Sequence, residues 1–343
     1  MTAGAGERPI LAVEGLGKDF VVERSLLGSP RAILSAVKDV SLTMMPGETL
    51  GVVGESGCGK TTLGRLILRL LEPTAGRIHF DGRDITGLSR RGMRALRRQI
   101  QVVFQDPFSS LNPRLTVRSI IGEPLKNFGF TEKEITRRVG EVMEVVGLQP
   151  DTMSRNPHAF SGGQRQRIGI ARALALKPRL IVCDEAVSAL DVSIQAQILN
   201  LLADIQREFD LSLFFISHNL GVIRHVSHRI VVMYLGRVVE IGPEDALFRQ
   251  PLHPYTRALI AAVPEAEIVE GRQRVPLQGE IPSPISPPPG CPFHTRCPIA
   301  RDRCAREVPD FVEHQPGRWV ACFYPGEETP VVTVDRQREA ASL

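Results

Sequence analysis

The chain has 343 residues, a hydrophobic fraction of 43%, a charged fraction of 23% and a net charge of +4. That length suits two domains, or one large domain with an extension, and the composition is that of an ordinary globular protein. The charge is too small to argue for a nucleic-acid partner, and no apolar run reaches the ~18 residues needed to span a bilayer. The start, MTAGAGERPI, lacks the basic and apolar regions of a signal peptide. The chain is therefore expected in the cytosol, with another subunit responsible for any work at a membrane.

"ILAVEGLGKDFVV" alternates like a strand, "ERSLLGSPRAIL" (23–34) reads as a polar loop broken by Gly and Pro, and "SAVKDVSLTMMPGETLGVVG" resumes the strands. The last of these runs into "GVVGESGCGKTTL". There Gly54, four residues, Gly59, Lys60 and Thr61 follow an apolar strand and precede a helical run (Leu63 to Leu71), the context a phosphate-binding P-loop requires. Gly54, Ser56, Gly57 and Gly59 let backbone N–H groups close on phosphates. Lys60 reaches the β and γ phosphates, the Thr61 hydroxyl ligates Mg2+, and Thr62 completes the loop. Cys58, inside the loop, reads as a small residue with no chemistry of its own.

"RDITGLSRRGMRALRRQ" is rich in arginine without interleaved aromatics, which reads as a solvated helix face. From about 110 to 160 the pattern is helical, and Ile135, Val139, Val142, Val145 and Val146 share one face. "HAFSGGQRQRIGIARAL" then opens a helix at Ser161 with Gly162, Gly163 and Gln164. A serine cap before bare backbone is an anion site at a helix N-terminus, the second in a chain that already has a P-loop. From 165 to 242 helices alternate with strands at 180–183, 213–216 and 230–234, giving βαβ units and a parallel sheet. "RLIVCDE" ends one strand with two carboxylates. Asp184 is placed to hold Mg2+ and Glu185 to polarise the attacking water.

After about 250 the composition shifts. "IPSPISPPPG" favours an extended strap. Four cysteines beyond it, Cys291, Cys297, Cys304 and Cys322, are spaced C-x5-C-x6-C-x17-C. Such a cluster suits Zn2+ or an iron–sulfur cluster, with unligated thiols as a third reading. The spacing lacks the C-x2-C knuckles usual in zinc sites.

In order and spacing, the P-loop at 54, "FSGGQ" at 160, "DE" at 184, "SALD" at 188 and His218 after "FFIS" resemble the ABC-type ATPases over about residues 10–250. The resemblance implies an α/β fold. Its P-loop NTPase (RecA-like) core carries an antiparallel β subdomain and a helical subdomain at about 106–165, and residues 251–343 form a Cys-containing C-terminal extension. It also implies ATPase activity in a head-to-tail dimer, in which Ser161, Gly162, Gly163 and Gln164 of one subunit meet the ATP held by the other. Phe20 resembles the aromatic that stacks on adenine, or is a strand residue of the core. Gln105 resembles the glutamine that senses Mg2+ and the attacking water, with the loop after it facing a membrane subunit. Asp191 would bridge to the opposite subunit and His218 would contact the γ-phosphate. "DEAVSALD" and Asn219 depart from the more usual "DEPTSALD" and Asp without touching these groups.

DNA-repair relatives split the ATPase with a long coiled coil and ribosome-acting relatives carry two cassettes. Only about 55 residues separate Gln105 from Ser161 here, with no heptads and one cassette. A soluble ABC ATPase acting on nucleic acid or ribosomes, or a kinase-like P-loop enzyme, is the lesser reading. "HPYTRALIAAVP", "GEIPSPISPPPGCPFHTRCPIARDRC" and "VACF" resemble the extension of ATPases serving oligopeptide and dipeptide importers, whose close relatives carry nickel. Gln164, where a paralogous subunit has Met, resembles the second of two such ATPases. The resemblance thus implies a heterodimer on two transmembrane permease subunits at the cytoplasmic face of the membrane. An extracytoplasmic solute-binding protein would feed them, and no nucleic acid would be involved. It also implies a [4Fe–4S] cluster on the four cysteines, with Zn2+ as the alternative.

Overall fold

The computed structural model describes residues 8–24, 30–106, 110–262 and 279–327. Alternation puts Leu11, Val13 and Leu16 of β1 (Leu11–Arg24) on one buried face. β1 pairs antiparallel with β2 (Pro30–Met44), and β3 (Thr49–Val53) then leaves for a second sheet. β4 (Ala75–Phe80) and β5 (Arg83–Asp84) complete the first sheet, in the order β2-β1-β4-β5. This is the expected antiparallel subdomain.

The loop reading of 23–34 is corrected. Val21 pairs with Ile33, Glu23 with Ala32 and Arg24 with Pro30, so both strands run into the segment; residues 25–29 lie outside the described residues. Ladder hydrogen bonds hold the ribbon through residues whose local composition favours a turn. Pro30, which has no N–H to give, stands at the first strand residue, where none is needed.

The second sheet collects β3, β6 (Ile100–Val103), β7 (Leu180–Asp184), β8 (Ser212–Ile216), β9 (Arg229–Tyr234), β10 (Arg237–Pro243), β11 (Val312–Gln315) and β12 (Arg318–Val320), in the order β11-β12-β10-β9-β3-β8-β7-β6. From β9 to β6 the pairings are parallel, and the three expected strands of the 165–242 region are all present. Every residue of β3 and of β8 is buried, as in parallel strands covered on both faces. Each fully buried Leu, Val or Phe here contributes roughly 1.5–3 kcal/mol. The carboxyl ends of β3 and β7 thereby become fixed points, and the chain leaves both into the residues singled out above.

Between β6 and β7 lie helices Val117–Asn127, Glu132–Val145 and Gly162–Leu174. The middle one begins at a capping box in which Thr131 and Glu134 satisfy each other's backbone N–H, an arrangement worth about 1 kcal/mol. Its expected apolar face is buried at Ile135, Val139, Val142 and, just beyond its end, Val146, while Val145 is half-buried. Met143 joins them.

The chain after 250 is joined to the same sheet. β12 pairs with β10, Glu240 opposite Val320 and Ile241 opposite Trp319. The carboxylate of Glu240, fully buried, accepts the N–H groups of Leu252 and His253 at 2.9 Å each and faces the guanidinium of Arg318 at 3.4 Å. Burial pushes its pKa up and these donors oppose that. One buried acid thus fastens helix Pro254–Ala261 and the β11–β12 hairpin to β10. The proline strap at 281–290 is irregular.

Candidate nucleotide-binding site

The P-loop runs from the end of β3 into helix Lys60–Ile67. Gly59 stands before that helix at φ 104°, and a Cβ there would come within 2.2 Å of the Ala36 carbonyl oxygen, so only glycine fits. Lys60 is buried, and its ammonium donates to the carbonyl oxygens of Gly54 at 2.8 Å and Glu55 at 3.0 Å. The Cys58 thiol is buried beside it, and burial pushes its pKa up, which keeps it protonated and unreactive.

The Thr61 hydroxyl donates to Asp184 Oδ1 at 3.0 Å, although 123 residues separate them. Two of the three residues expected at Mg2+ therefore meet, because β3 and β7 flank β8 in one sheet and end on the same side. Burial raises the Asp184 pKa and the Thr61 hydrogen bond lowers it. Glu185 follows at φ 50°, a left-handed conformation uncommon outside glycine and frequent at functional positions. Its N–H donates to the Ile216 carbonyl at 3.0 Å, and its carboxylate lies 3.2 Å from His218 Nδ1, just beyond β8. The histidine singled out by its place after "FFIS" thus touches Glu185 in the fold.

Ser161 caps helix Gly162–Leu174. Its hydroxyl accepts the Gln164 N–H at 3.3 Å, and Gln164 Oε1 accepts the Ser161 N–H at 3.0 Å. The hydroxyl keeps its own proton to give. Ser161 and Gln164 are exposed and Gly162 is half-buried. Gly163 is buried, and a Cβ there would meet Ile194 Cγ2 at 2.4 Å, so its glycine is needed for close helix packing. Asp191 caps helix Val192–Phe209 through the Ile194 N–H at 2.9 Å, a bond that lowers its pKa. Phe20 is half-buried on β1, opposite Leu34, with the Lys18 ammonium 5.2 Å from its ring. Gln105 is exposed two residues past β6, and residues 107–109 of the loop after it lie outside the described residues. Among the described residues, no hydrogen bond or ion pair joins Phe20 or Gln105 to the Thr61–Asp184 pair.

A loop with its lysine, a hydroxyl–carboxylate pair and a carboxylate–imidazole pair gathered at one sheet edge is a nucleotide site by its chemistry. Residues 37–188 match the family described as ABC transporter, and residues 239–304 match the one described as oligopeptide/dipeptide transporter, C-terminal region. The "Probable peptide ABC transporter ATP-binding protein y4tS" of Sinorhizobium fredii is 56% identical over 91% of this chain and 89% of its own. The oligopeptide transport ATP-binding protein AppF of Bacillus subtilis is 51% identical over 94% of this chain and 99% of its own. The chain belongs to the family of ABC transporter ATP-binding proteins. Solved structures agree. This ABC ATPase matches the Clostridium perfringens cbiO1 subunit with a TM-score of 0.62 and 29% identity, covering 71% of this chain and 92% of that one. The cassette MJ0796, a dimer bound to ADP and Pi in a post-hydrolysis state, matches at 0.61 and 28%, covering 68% and 98%.

In this ABC ATPase the four cysteines of the extension converge. Cys291, Cys297, Cys304 and Cys322 line one small cavity together with Phe293, His294 and Tyr324. The Cys291 N–H donates to the Cys304 carbonyl at 2.8 Å, and the Tyr324 N–H to the Cys322 sulfur at 3.4 Å. Burial pushes the thiol pKa values of Cys291, Cys297 and Cys322 up, to about 12 at Cys297 and about 11 at Cys322. The donor set is soft and suits a thiophilic metal. Among the described residues, though, no group of three or more His, Cys, Asp or Glu side chains is arranged to hold a metal ion, and none of the helices described is long and apolar enough to cross a membrane.

Two contacts on the P-loop were not legible from the sequence. The Tyr255 hydroxyl accepts the Glu55 N–H at 2.9 Å. Arg296, between two of the cysteines, grips the Glu55 carboxylate with both terminal nitrogens, at 2.7 and 3.0 Å. Separations of 200 and 241 residues leave no local signal for either.

Proposed function

We propose that this ABC ATPase is the ATP-hydrolysing subunit of an importer that carries di- and oligopeptides across the cytoplasmic membrane. Residues 1–250 form its nucleotide-binding domain and 251–343 its extension. The observation that carries the catalytic part is the meeting of Thr61 with Asp184 and of Glu185 with His218 at one sheet edge. The peptide part is supported by the match of residues 239–304 to the oligopeptide/dipeptide transporter C-terminal region and by what y4tS and AppF are called.

Gly54, Ser56, Gly57, Gly59 and Thr62 cradle the phosphates of ATP, Lys60 turns to the β and γ groups, and Phe20 stacks on the base. Thr61, Asp184 and Gln105 would hold Mg2+, which would supply neutralisation of the phosphate charge. Glu185 takes the proton of the attacking water and His218 holds that carboxylate and the γ-phosphate in register. Ser161, Gly162 and Gln164, presented at a positive helix end, serve the ATP of the opposing subunit, with Asp191 bridging across. That subunit is a paralogue, and the pair sits peripherally under two permease subunits supplied by an extracytoplasmic binding protein. Nickel or another small solute is the second reading. The test is uptake in cells lacking this chain. Labelled dipeptide uptake is expected to fall to background while nickel uptake stays within a factor of about two; the reverse pattern overturns the peptide reading.

For the extension we infer a [4Fe–4S] cluster on Cys291, Cys297, Cys304 and Cys322, with Zn2+ as the alternative. Support comes from four thiols lining one cavity and from an amide that already donates to one sulfur, the kind of bond that tunes cluster sulfurs. Its role is structural, ligation supplying folding free energy to a segment with little core. Protein purified without oxygen is expected to be brown and to hold about four irons per chain. Colourless protein with a single zinc would replace the cluster by zinc.

A further inference from the structure

The extension also reaches the ATP site directly, through Glu55. This residue follows Gly54 in the P-loop, and its carbonyl oxygen is one of the two that hold the Lys60 ammonium. Its N–H is taken by the Tyr255 hydroxyl and its carboxylate by the Arg296 guanidinium. The ion pair is well shielded: the Arg296 side chain is 4% exposed and that of Glu55 22%. Arg296 is itself held from behind. Its guanidinium lies 3.4 Å from the Tyr234 hydroxyl and 5.8 Å from the centre of that ring. Tyr234, Tyr255 and Phe293 pack as one aromatic group, with ring centres 4.7–5.4 Å apart. Phe293 and Arg296 both belong to the segment between Cys291 and Cys297.

A carboxylate in a loop that must receive the phosphates of ATP is an electrostatic obstacle. At a partly shielded site, where water screens poorly, a carboxylate and a phosphate repel each other. A bidentate guanidinium offsets that charge and fixes the side chain on the extension.

We propose that Arg296 and Tyr255 are positioning residues for ATP binding: the 291–297 segment braces the P-loop at Glu55 and neutralises its carboxylate, so the extension sets ATP affinity. This rests on reading residues 54–62 as the phosphate loop. The brace holds one loop conformation before ATP arrives, and Lys60, which shares Glu55, is held with it. It also gives the cysteine cavity a mechanical route to the nucleotide, since any rearrangement of Cys291 or Cys297 moves Phe293 and Arg296.

The experiment measures KM for ATP and kcat in the intact membrane complex for Arg296→Met, Glu55→Gln and the double variant. Arg296→Met is expected to raise KM about tenfold with kcat changed less than about twofold, because the uncompensated carboxylate opposes binding rather than chemistry. Adding Glu55→Gln is expected to bring KM back to within about threefold of the parent by removing that charge. In Arg296→Lys, which keeps the charge but loses the fork, KM should rise about threefold. A buried arginine needed only for folding gives the opposite pattern, since the double variant then remains as impaired as Arg296→Met or worse. Unchanged KM in Arg296→Met, or no recovery in the double variant, overturns the brace. If Arg296→Met fails to assemble, Arg296→Lys and the double variant decide by the same criteria. Lys60→Ala separates the two levels of the argument. If this chain's own site, followed by photocrosslinking of labelled ATP to this subunit, still binds ATP in Lys60→Ala, the phosphate-loop reading fails. If it loses ATP while Arg296→Met binds normally, the brace alone fails.

Discussion

Glu185→Gln is expected to lower kcat at least ~100-fold while ATP remains bound, the loss associated with removing a positioned base. That factor corresponds to about 2.7 kcal/mol of barrier. The substitution is almost isosteric, and the backbone that holds the residue is independent of its charge: the N–H of Glu185 is fixed to Ile216 and its carbonyl accepts from the Ser188 hydroxyl. An amide can still face His218 at the 3.2 Å now spanned by the carboxylate, so the site keeps its shape and loses its base. Single-turnover hydrolysis and equilibrium ATP binding, measured side by side, check both halves. With cleavage arrested, the ATP-bound dimer should accumulate and become visible as a doubled mass on sizing. Turnover near that of the parent would remove Glu185 from the mechanism.

The second large effect concerns the helix that starts at Ser161. Gly162→Asp places a carboxylate in the first helical turn, where the helix dipole favours negative charge and stability is maintained. Space is available, since a Cβ at Gly162 comes no nearer than 3.8 Å to Leu190. A phosphate arriving from the opposing subunit meets repulsion instead of N–H donors. Lys60→Ala in this chain leaves a complex in which only the partner's P-loop turns over. Adding Gly162→Asp to the same chain is expected to reduce that remaining activity at least ~100-fold, the scale seen when a transition-state donor is lost. If the helix serves only its own chain, the second substitution changes nothing. At Gly163 a similar change is uninformative, because a side chain there collides with Ile194 and disturbs packing first.

What could be read from the sequence was what local pattern determines. The P-loop is legible because a strand, a glycine spacing and a helix start lie within fifteen residues, and the glycine at φ 104° has no substitute. The parallel strands are legible because both faces of each are covered, which makes the apolar runs continuous. His218 was picked out by its place after the strand "FFIS", and its contact with Glu185 follows from β7 and β8 being neighbours. The ribbon of β1 and β2 was shortened to a loop because serine, glycine and proline outweigh the cross-strand ladder in a local reading. Gly163 reads as part of an anion site, while its burial against Ile194 depends on a helix thirty residues later. The spacing of the four cysteines is visible, but their shared cavity needs β12 docked on β10 and the backbone hydrogen bond from Cys291 to Cys304. Arg296 on Glu55 is beyond any local pattern, since it joins the P-loop to a residue 241 positions away.

The central claim is that hydrolysis at the Thr61–Asp184–Glu185 site is harnessed to peptide import. Its most direct measurement is ATP hydrolysis by the purified complex of both ATPase subunits and both permease subunits in liposomes, with the binding protein outside and ATP inside. The account predicts that peptide-loaded binding protein accelerates hydrolysis at least about fivefold, that the empty or nickel-loaded protein does not, and that Glu185→Gln abolishes the acceleration together with peptide accumulation in the lumen. Hydrolysis that is indifferent to peptide, or peptide accumulation that persists in Glu185→Gln, would contradict it.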